Sequence, residues 1–209
     1  TGTTTFNQLF DVETAFGFTG SNLTVTGAGA NDVGATLTVA NAGTFTLDEG
    51  STLTVGTFTQ TGAGNNVIGD DITADIAGIN FDQQVTLTSG TADDTIVFTG
   101  AAGADDDIEL NTVLNADNEN LRLVAGAAGD ITSNAIDLGT TGDLTITSAV
   151  DATFNGTVDV ENFSQVAGTG TTTFNQLFDV ETAFGFTGSN LTVTGAGAND
   201  VGATLTVAN

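Results

Sequence analysis

The sequence predicts an all-β fold, a parallel β-solenoid whose short strands coil around one apolar core. Three observations carry that prediction. Residues 1–41 recur letter for letter as residues 169–209, an offset of 168 without a substitution. Short segments of alternating apolar and polar residues follow one another along the whole chain, broken by Gly, Asn and Asp clusters. The apolar positions also return at intervals of about 21 residues, the length of a coil made of three short strands and three turns.

The strands come first in the reading. Leu23-Thr24-Val25, Leu37-Thr38-Val39, Phe45-Thr46-Leu47, Leu53-Thr54-Val55, Val85-Thr86-Leu87, Leu144-Thr145-Ile146 and Val158-Asp159-Val160 all alternate in this way. A period of two, with β-branched and aromatic residues on one side, describes a strand with one buried face. Between them, Thr26-Gly27-Ala28-Gly29, Asn41-Ala42-Gly43 and Asn155-Gly156 supply the residues that turns require. No segment carries a helical period.

Spacing then sets the expected stacking. Phe16, Leu37, Phe58, Ile79, Phe98, Leu121, Leu144, Phe163 and Phe184 form an inward file of nearly even steps, eight of which span the offset of 168. Leu23, Phe45, Ile68, Leu87, Ile108, Ile131, Phe154, Phe174 and Leu191 form a second, again eight steps spanning 168. A third runs Leu9, Val33, Leu53, Ile72 and, after a gap, Val113, Ile136, Val158 and Leu177. The expectation is eight rungs per 168-residue repeat, with residues 1–168 forming one full unit and 169–209 opening the next within one continuous solenoid. Shifting the first file by one residue gives an outward column of Thr38, Thr59, Asn80, Thr99, Arg122, Thr145 and Ser164, which is almost wholly polar. Proline would delete a ladder hydrogen bond in such a stack, and the chain has none. A string of antiparallel sandwich domains would divide 168 into halves, but no half-length echo is present.

Composition removes most chemistry. The chain has no Cys, His, Met, Trp, Tyr or Pro, and its one cation is Arg122. Thiol and imidazole ligands, Ser-His and Cys-His dyads and disulfides are therefore excluded. Without Met the sequence reads as a portion of a longer protein, and no long apolar run offers a membrane span. The net charge of −25 repels nucleic acid and anionic lipid, leaving cations as natural counterparts. With 39% hydrophobic residues, the chain has enough apolar surface to fold.

Oxygen ligands remain, and Asp93, Asp94, Asp105, Asp106 and Asp107 are the candidate metal ligands, for Ca²⁺, which takes six to eight oxygens. The run Gly90-Thr91-Ala92-Asp93-Asp94-Thr95-Ile96 resembles a degenerate calcium-binding nonapeptide, although a nine-residue recurrence and the Gly-Gly opening are missing. Paired acids also suit a glycosidase, but such a site needs basic or aromatic side chains to hold a sugar, and one Arg with no Tyr or Trp supplies neither. Arg122 reads as a surface residue pairing with Asp143 or Glu119.

The phrases TFTQTGAGNN (57–66), TADDTIVFTG (91–100), GDLTITSAVDATFNG (142–156) and ENFSQVAGTGTTTFN (161–175) resemble the repeats of filamentous-haemagglutinin-like bacterial surface proteins. That resemblance implies a right-handed β-helix on the cell surface or outside the cell, serving as a fibrous stalk or adhesin. The expectation is a non-enzymatic structural segment, with identical repeats as end-to-end partners and lateral contacts made through divalent cations. It includes no nucleic acid, no membrane insertion and no required cofactor. The alternative is a calcium-binding surface-layer or RTX-like adhesin module.

Overall fold

A computed structural model of the chain describes residues 2–90, 94–101, 103, 106–116 and 118–209. Every described strand pairing is parallel, and the described residues contain no helix. Strands separated by about one coil stack on one another in three piles, giving a β-solenoid of nine coils and two further strands.

The first pile runs from Thr3–Phe6 through Asn22–Val25, Phe45–Leu47, Asn66–Ile68, Val85–Leu87, Leu114–Asn115 and Ile136–Asp137 to residues 158–160, 178–180 and Asp200–Val201. The second joins Asp11–Val12 to residues 31–33 and 53–55, then Ile72–Ala74, Thr95–Thr99, Asn120–Val124 and Leu144–Ser148, and ends in residues 162–165, 183–187 and Thr204–Ala208. The third starts at Phe16–Gly20 and passes through residues 36–41 and 57–60, Ile79–Phe81, Ile108–Leu110, Ile131–Ser133 and Ala152–Phe154 to Thr171–Phe174 and Asn190–Val193. Asn31–Asn41, Leu53–Gln60, Val158–Gln165 and Phe178–Thr187 each bend from one pile to the next.

The alternation expected from sequence holds in most interior strands, although in Thr95–Thr99 the consecutive Ile96, Val97 and Phe98 are all buried. In Phe45–Leu47 and Leu144–Ser148, Phe45, Leu47, Leu144 and Ile146 are buried while Thr46 and Thr145 face outward. Phe45, Phe58, Phe81 and Phe98 form a continuous run of ring contacts in the core, with centroids 4.7 to 5.7 Å apart. Fully burying one such side chain is worth about 1.5–3 kcal/mol, so the interior of the spiral is its main source of stability.

The files differ from expectation in two ways. Within single strands the register is often two residues off, since Ile68 pairs with Leu47 rather than Phe45, Leu53 with Asn31 rather than Val33, Phe154 with Ser133 rather than Ile131, and Leu191 with Thr172 rather than Phe174. Leu9 is 59% exposed, its expected place taken by Val12, and Phe178 rather than Leu177 pairs with Val158. The larger departure is at one coil. Ile79 pairs with Ile108 rather than stacking beneath Phe98, and this step along the chain is longer than any other in its pile. Phe98 lies in the second pile, between Ile72 and Leu123, while Leu121 stacks between Ile96 and Leu144. Leu87 likewise is not followed by Ile108 in its pile, and Val113, assigned to the third file, is 39% exposed. Each file therefore slips by one strand where this long coil was read as one of ordinary length. Arg122 consequently stacks between Val97 and Thr145 rather than above Thr99.

Where the third pile turns into the first, the core contains amides. Gln60 Nε2 donates to Asn41 Oδ1 at 2.8 Å and to the Gly62 carbonyl at 2.9 Å, and Asn41 Nδ2 donates to the Gly43 carbonyl at 2.9 Å. Buried polar groups must be paired, and here the stacked turns supply the partners. The same stacking demands glycine: a Cβ on Gly64 would overlap the carbonyl oxygen of Gly43.

Candidate functional site

Two positions gather acidic residues on successive coils. The first is the corner where the chain begins the third pile. Asp107, Asp130 and Asp151 each precede the opening strand residue of successive coils, Ile108, Ile131 and Ala152. Asp107 Oδ1 accepts the Asp130 N–H at 2.8 Å, Asp130 Oδ1 accepts the Asp151 N–H at 2.9 Å, and Asp151 Oδ1 accepts the Thr171 N–H at 2.5 Å. Asparagines do the same elsewhere, as Asn120 Oδ1 does for the Asp143 N–H (2.8 Å) and Asn22 Oδ1 for the Thr44 N–H (2.8 Å). A side-chain oxygen thus extends the inter-coil ladder around the turn, where backbone carbonyls no longer line up. Sequence reasoning missed this role for Asp130 and Asp151. The signal was present, because Asp107, Asp130 and Asp151 recur in the sequence at one-coil intervals.

The second position is an outward column on the first pile. Asn115, Asp137, Asp159, Asp179 and Asp200 are in-register neighbours on consecutive coils. Neighbouring members lie about 4.8 Å apart along the stack. Asp159, the half-buried member, has its pKa raised, chiefly by burial and then by the charges of Asp137, Asp179 and Glu181. Asp71 is raised as well: burial dominates, the Val97 N–H bonded to its Oδ1 (2.8 Å) and Arg122 act against it, and Asp70 and Asp94 add to it.

Of the five residues proposed from sequence as calcium ligands, Asp93 and Asp105 lie outside the described residues. Asp94 sits just before the strand Thr95–Thr99, where its Oδ1 accepts the Thr95 N–H at 2.8 Å and its backbone carbonyl accepts the Asn120 N–H. Asp106, which is buried, and Asp107 lie beyond the far end of that strand, at the start of Ile108–Leu110. A five-residue strand is about 17 Å long, so Asp94 and Asp107 belong to different corners. Among the described residues, no three ligating side chains converge in a group able to hold a metal ion.

A shallow depression of about 220 Å³ opens on the third pile beside the long coil, lined among others by Thr57, Thr59, Gly78, Asn80, Asp107 and Glu109. Asn80 Nδ2 donates to Glu109 Oε2 across it at 2.5 Å. Its polar walls are neutral or acidic, with no cation to hold a sugar acid or phosphate.

A cluster of aromatic rings lies at the seam between the two sequence copies. Thr171–Phe174, which repeats Thr3–Phe6, pairs with Ala152–Phe154 of the preceding unit. Phe154 and Phe174 stack with centroids 4.8 Å apart at 12°, and Phe163 and Phe184 at 4.8 Å and 17°. Phe178 closes on Phe174 at 5.1 Å and on Phe184 at 5.3 Å. Backbone bonds continue across, with Gly170 N–H donating to the Val150 carbonyl and Asn175 N–H to the Phe154 carbonyl, both at 2.9 Å. Comparison with family models, with curated proteins and with solved structures gives no match.

Proposed function

We propose that the 168-residue unit is a structural segment of an extracellular or cell-surface filament, acting through length and stiffness, with identical units stacked end to end as one solenoid. One observation carries this reading: the second copy continues the coil of the first through ring stacking and backbone ladders like those inside a unit. Placement outside the cell draws on the resemblance of the repeat phrases to bacterial surface fibres.

Charge sets how such a filament behaves. Residues 1–168 contain 23 of the 26 acids, all but Asp179, Glu181 and Asp200, and one Arg, a net −22. Spread over a unit of about 37 Å, this gives roughly one negative charge per 1.7 Å, near the linear density of duplex DNA. Such filaments repel one another at low ionic strength and are drawn together by divalent cations.

Arrays of one, two and three units test the reading. Rod length, measured by electron microscopy and small-angle scattering, is expected to grow by about 37 Å per unit at constant width. Separate beads joined by flexible segments, or a width that grows with unit number, would overturn it.

A further inference from the structure

Identical sequence does not return to the same face of the solenoid. Thr3–Phe6 pairs with Asn22–Val25 in the pile that ends in residues 178–180 and Asp200–Val201. Its copy Thr171–Phe174 lies in another pile, between Ala152–Phe154 and Asn190–Val193. Asp11–Val12 belongs to the second pile, yet its copy, residues 179–180, belongs to the first. Phe16–Gly20 belongs to the third, yet its copy, residues 184–188, to the second. All three shifts are one pile in the same sense. Local pairing is unchanged, since Thr3 faces Asn22 and Thr171 faces Asn190, so the shift is a rotation of the whole copy.

Its origin is the long coil. At the ordinary coil length the offset of 168 would make eight coils, but the step from Ile79 to Ile108 takes 29 residues where the step from Phe16 to Leu37 takes 21, each through one strand of every pile, so the longer turns leave fewer than eight coils in 168 residues. Counting twice the three bent strands that come before it, 23 strands precede Thr171–Phe174 from Thr3–Phe6 onward, which is seven and two-thirds coils.

We infer that successive units are related by a screw of about one third of a turn, so that a lateral surface returns to the same side only at every third unit. A partner that recognises one lateral surface of the unit therefore meets it from three directions, and along any one side at intervals of about 110 Å, the height of 23 coils. The column Asp137, Asp159, Asp179, Asp200 illustrates the consequence: its upper two members repeat Asp11 and Asp32, so it forms only across a seam and turns by one face at each seam. The inference rests on the filament reading and deepens it, since it gives the spacing and direction at which partners dock.

The chain has no cysteine, so one substitution creates a unique label site. Thr140 is exposed on the turn between Ile136–Asp137 and Leu144–Ser148. In a three-unit array carrying Thr140→Cys in every unit, monofunctional maleimide gold serves as a one-site partner. Electron cryotomography is expected to place consecutive particles about 37 Å apart along the rod and about one third of a turn apart around it. Gold aligned along one side would overturn the screw and leave the filament standing; absence of any rod would overturn both. Undecorated wild-type arrays give a second measurement, an axial period of about 110 Å over a subperiod of about 37 Å. The shorter period without the longer one would refute the inference.

Discussion

Asp159 and Asp179 stand in register as nearest neighbours on the first pile, one from each side of the seam between two units. With Asp137 below and Asp200 above, they form a row of like charges, an arrangement that opposes stacking wherever the carboxylates are ionised. The seam therefore holds against a local repulsion, and the aromatic cluster beneath it supplies the opposing attraction.

Acid should tighten this seam. Asp159 and Asp71 both have folded-state pKa values above the ordinary 3.8. The folded chain takes up these protons before the unfolded chain does, so stability falls as pH rises through the raised values and is regained on acidification. Thermal melting is expected to shift upward as pH drops from 7 toward 4. Asp159→Asn should raise the melting temperature at pH 7, and the gain should vanish well below pH 3.8, where both states are protonated. A gain independent of pH would show that charge is not its cause.

The coil period and the inward positions were legible in the sequence because a two-residue alternation and a near-constant return leave few alternatives. Leu121, Leu144, Phe163 and Phe184 were assigned to one file and do stack in that order. The register within a strand was less legible, because either inward residue of a three-residue strand fits the spacing, as with Phe45 and Leu47 below Ile68. The larger failure was the join between Ile79 and Phe98. A period read from spacing alone cannot distinguish a long coil from an ordinary coil followed by a slip, because any apolar strand residue at about the right distance satisfies the pattern. The candidate site was less legible. Acid clusters in turns suggest cations, whereas Asp107 and Asp130 serve the backbone of the next coil, a use visible only once coils are aligned.

Inward and outward positions should respond very differently to substitution. Leu121 is fully buried between Ile96 and Leu144, so Leu121→Asp places a carboxylate in an apolar stack without a partner. A loss of more than about 4 kcal/mol is expected in chemical denaturation. Thr38→Ser, on an outward column between Gly17 and Thr59, should stay within about 0.5 kcal/mol. Equal losses would contradict the assignment of faces.

Glycines divide in the same way. At Gly64 a methyl group collides with the stacked turn below it, where the Gly43 carbonyl and the Asn41 amide lie, whereas at Gly17 nothing lies within 4 Å. Gly64→Ala is expected to cost about 1–3 kcal/mol, the range for forced overpacking. Gly17→Ala, in an open strand position, should be neutral or slightly stabilising. Denaturant midpoints for the two variants decide it, and a tolerated Gly64→Ala would mean that these turns are not in close contact.

The repeat provides its own control for the strength of the seam, because Phe6 and Phe174 are the same residue in identical local sequence. Phe6 is partly exposed and contacts Phe10 at 4.8 Å and Phe16 at 5.7 Å. Phe174 has the corresponding neighbours Phe178 and Phe184, and in addition Phe154 and Phe163 from the preceding unit at 4.8 and 5.4 Å. Phe174→Ala opens a cavity enclosed on both sides, for which a cost of about 3–5 kcal/mol is expected. Phe6→Ala removes a ring that already meets solvent and should cost clearly less. The difference between the two variants, measured in one chain under one set of conditions, isolates what the adjoining unit contributes. Hydrogen exchange should show the same contrast, with Phe174→Ala releasing the amides of Gly170 and Asn175, which bond to the coil below, while Phe6→Ala leaves them protected. Equal losses for both substitutions would mean that the seam adds nothing to the units it joins.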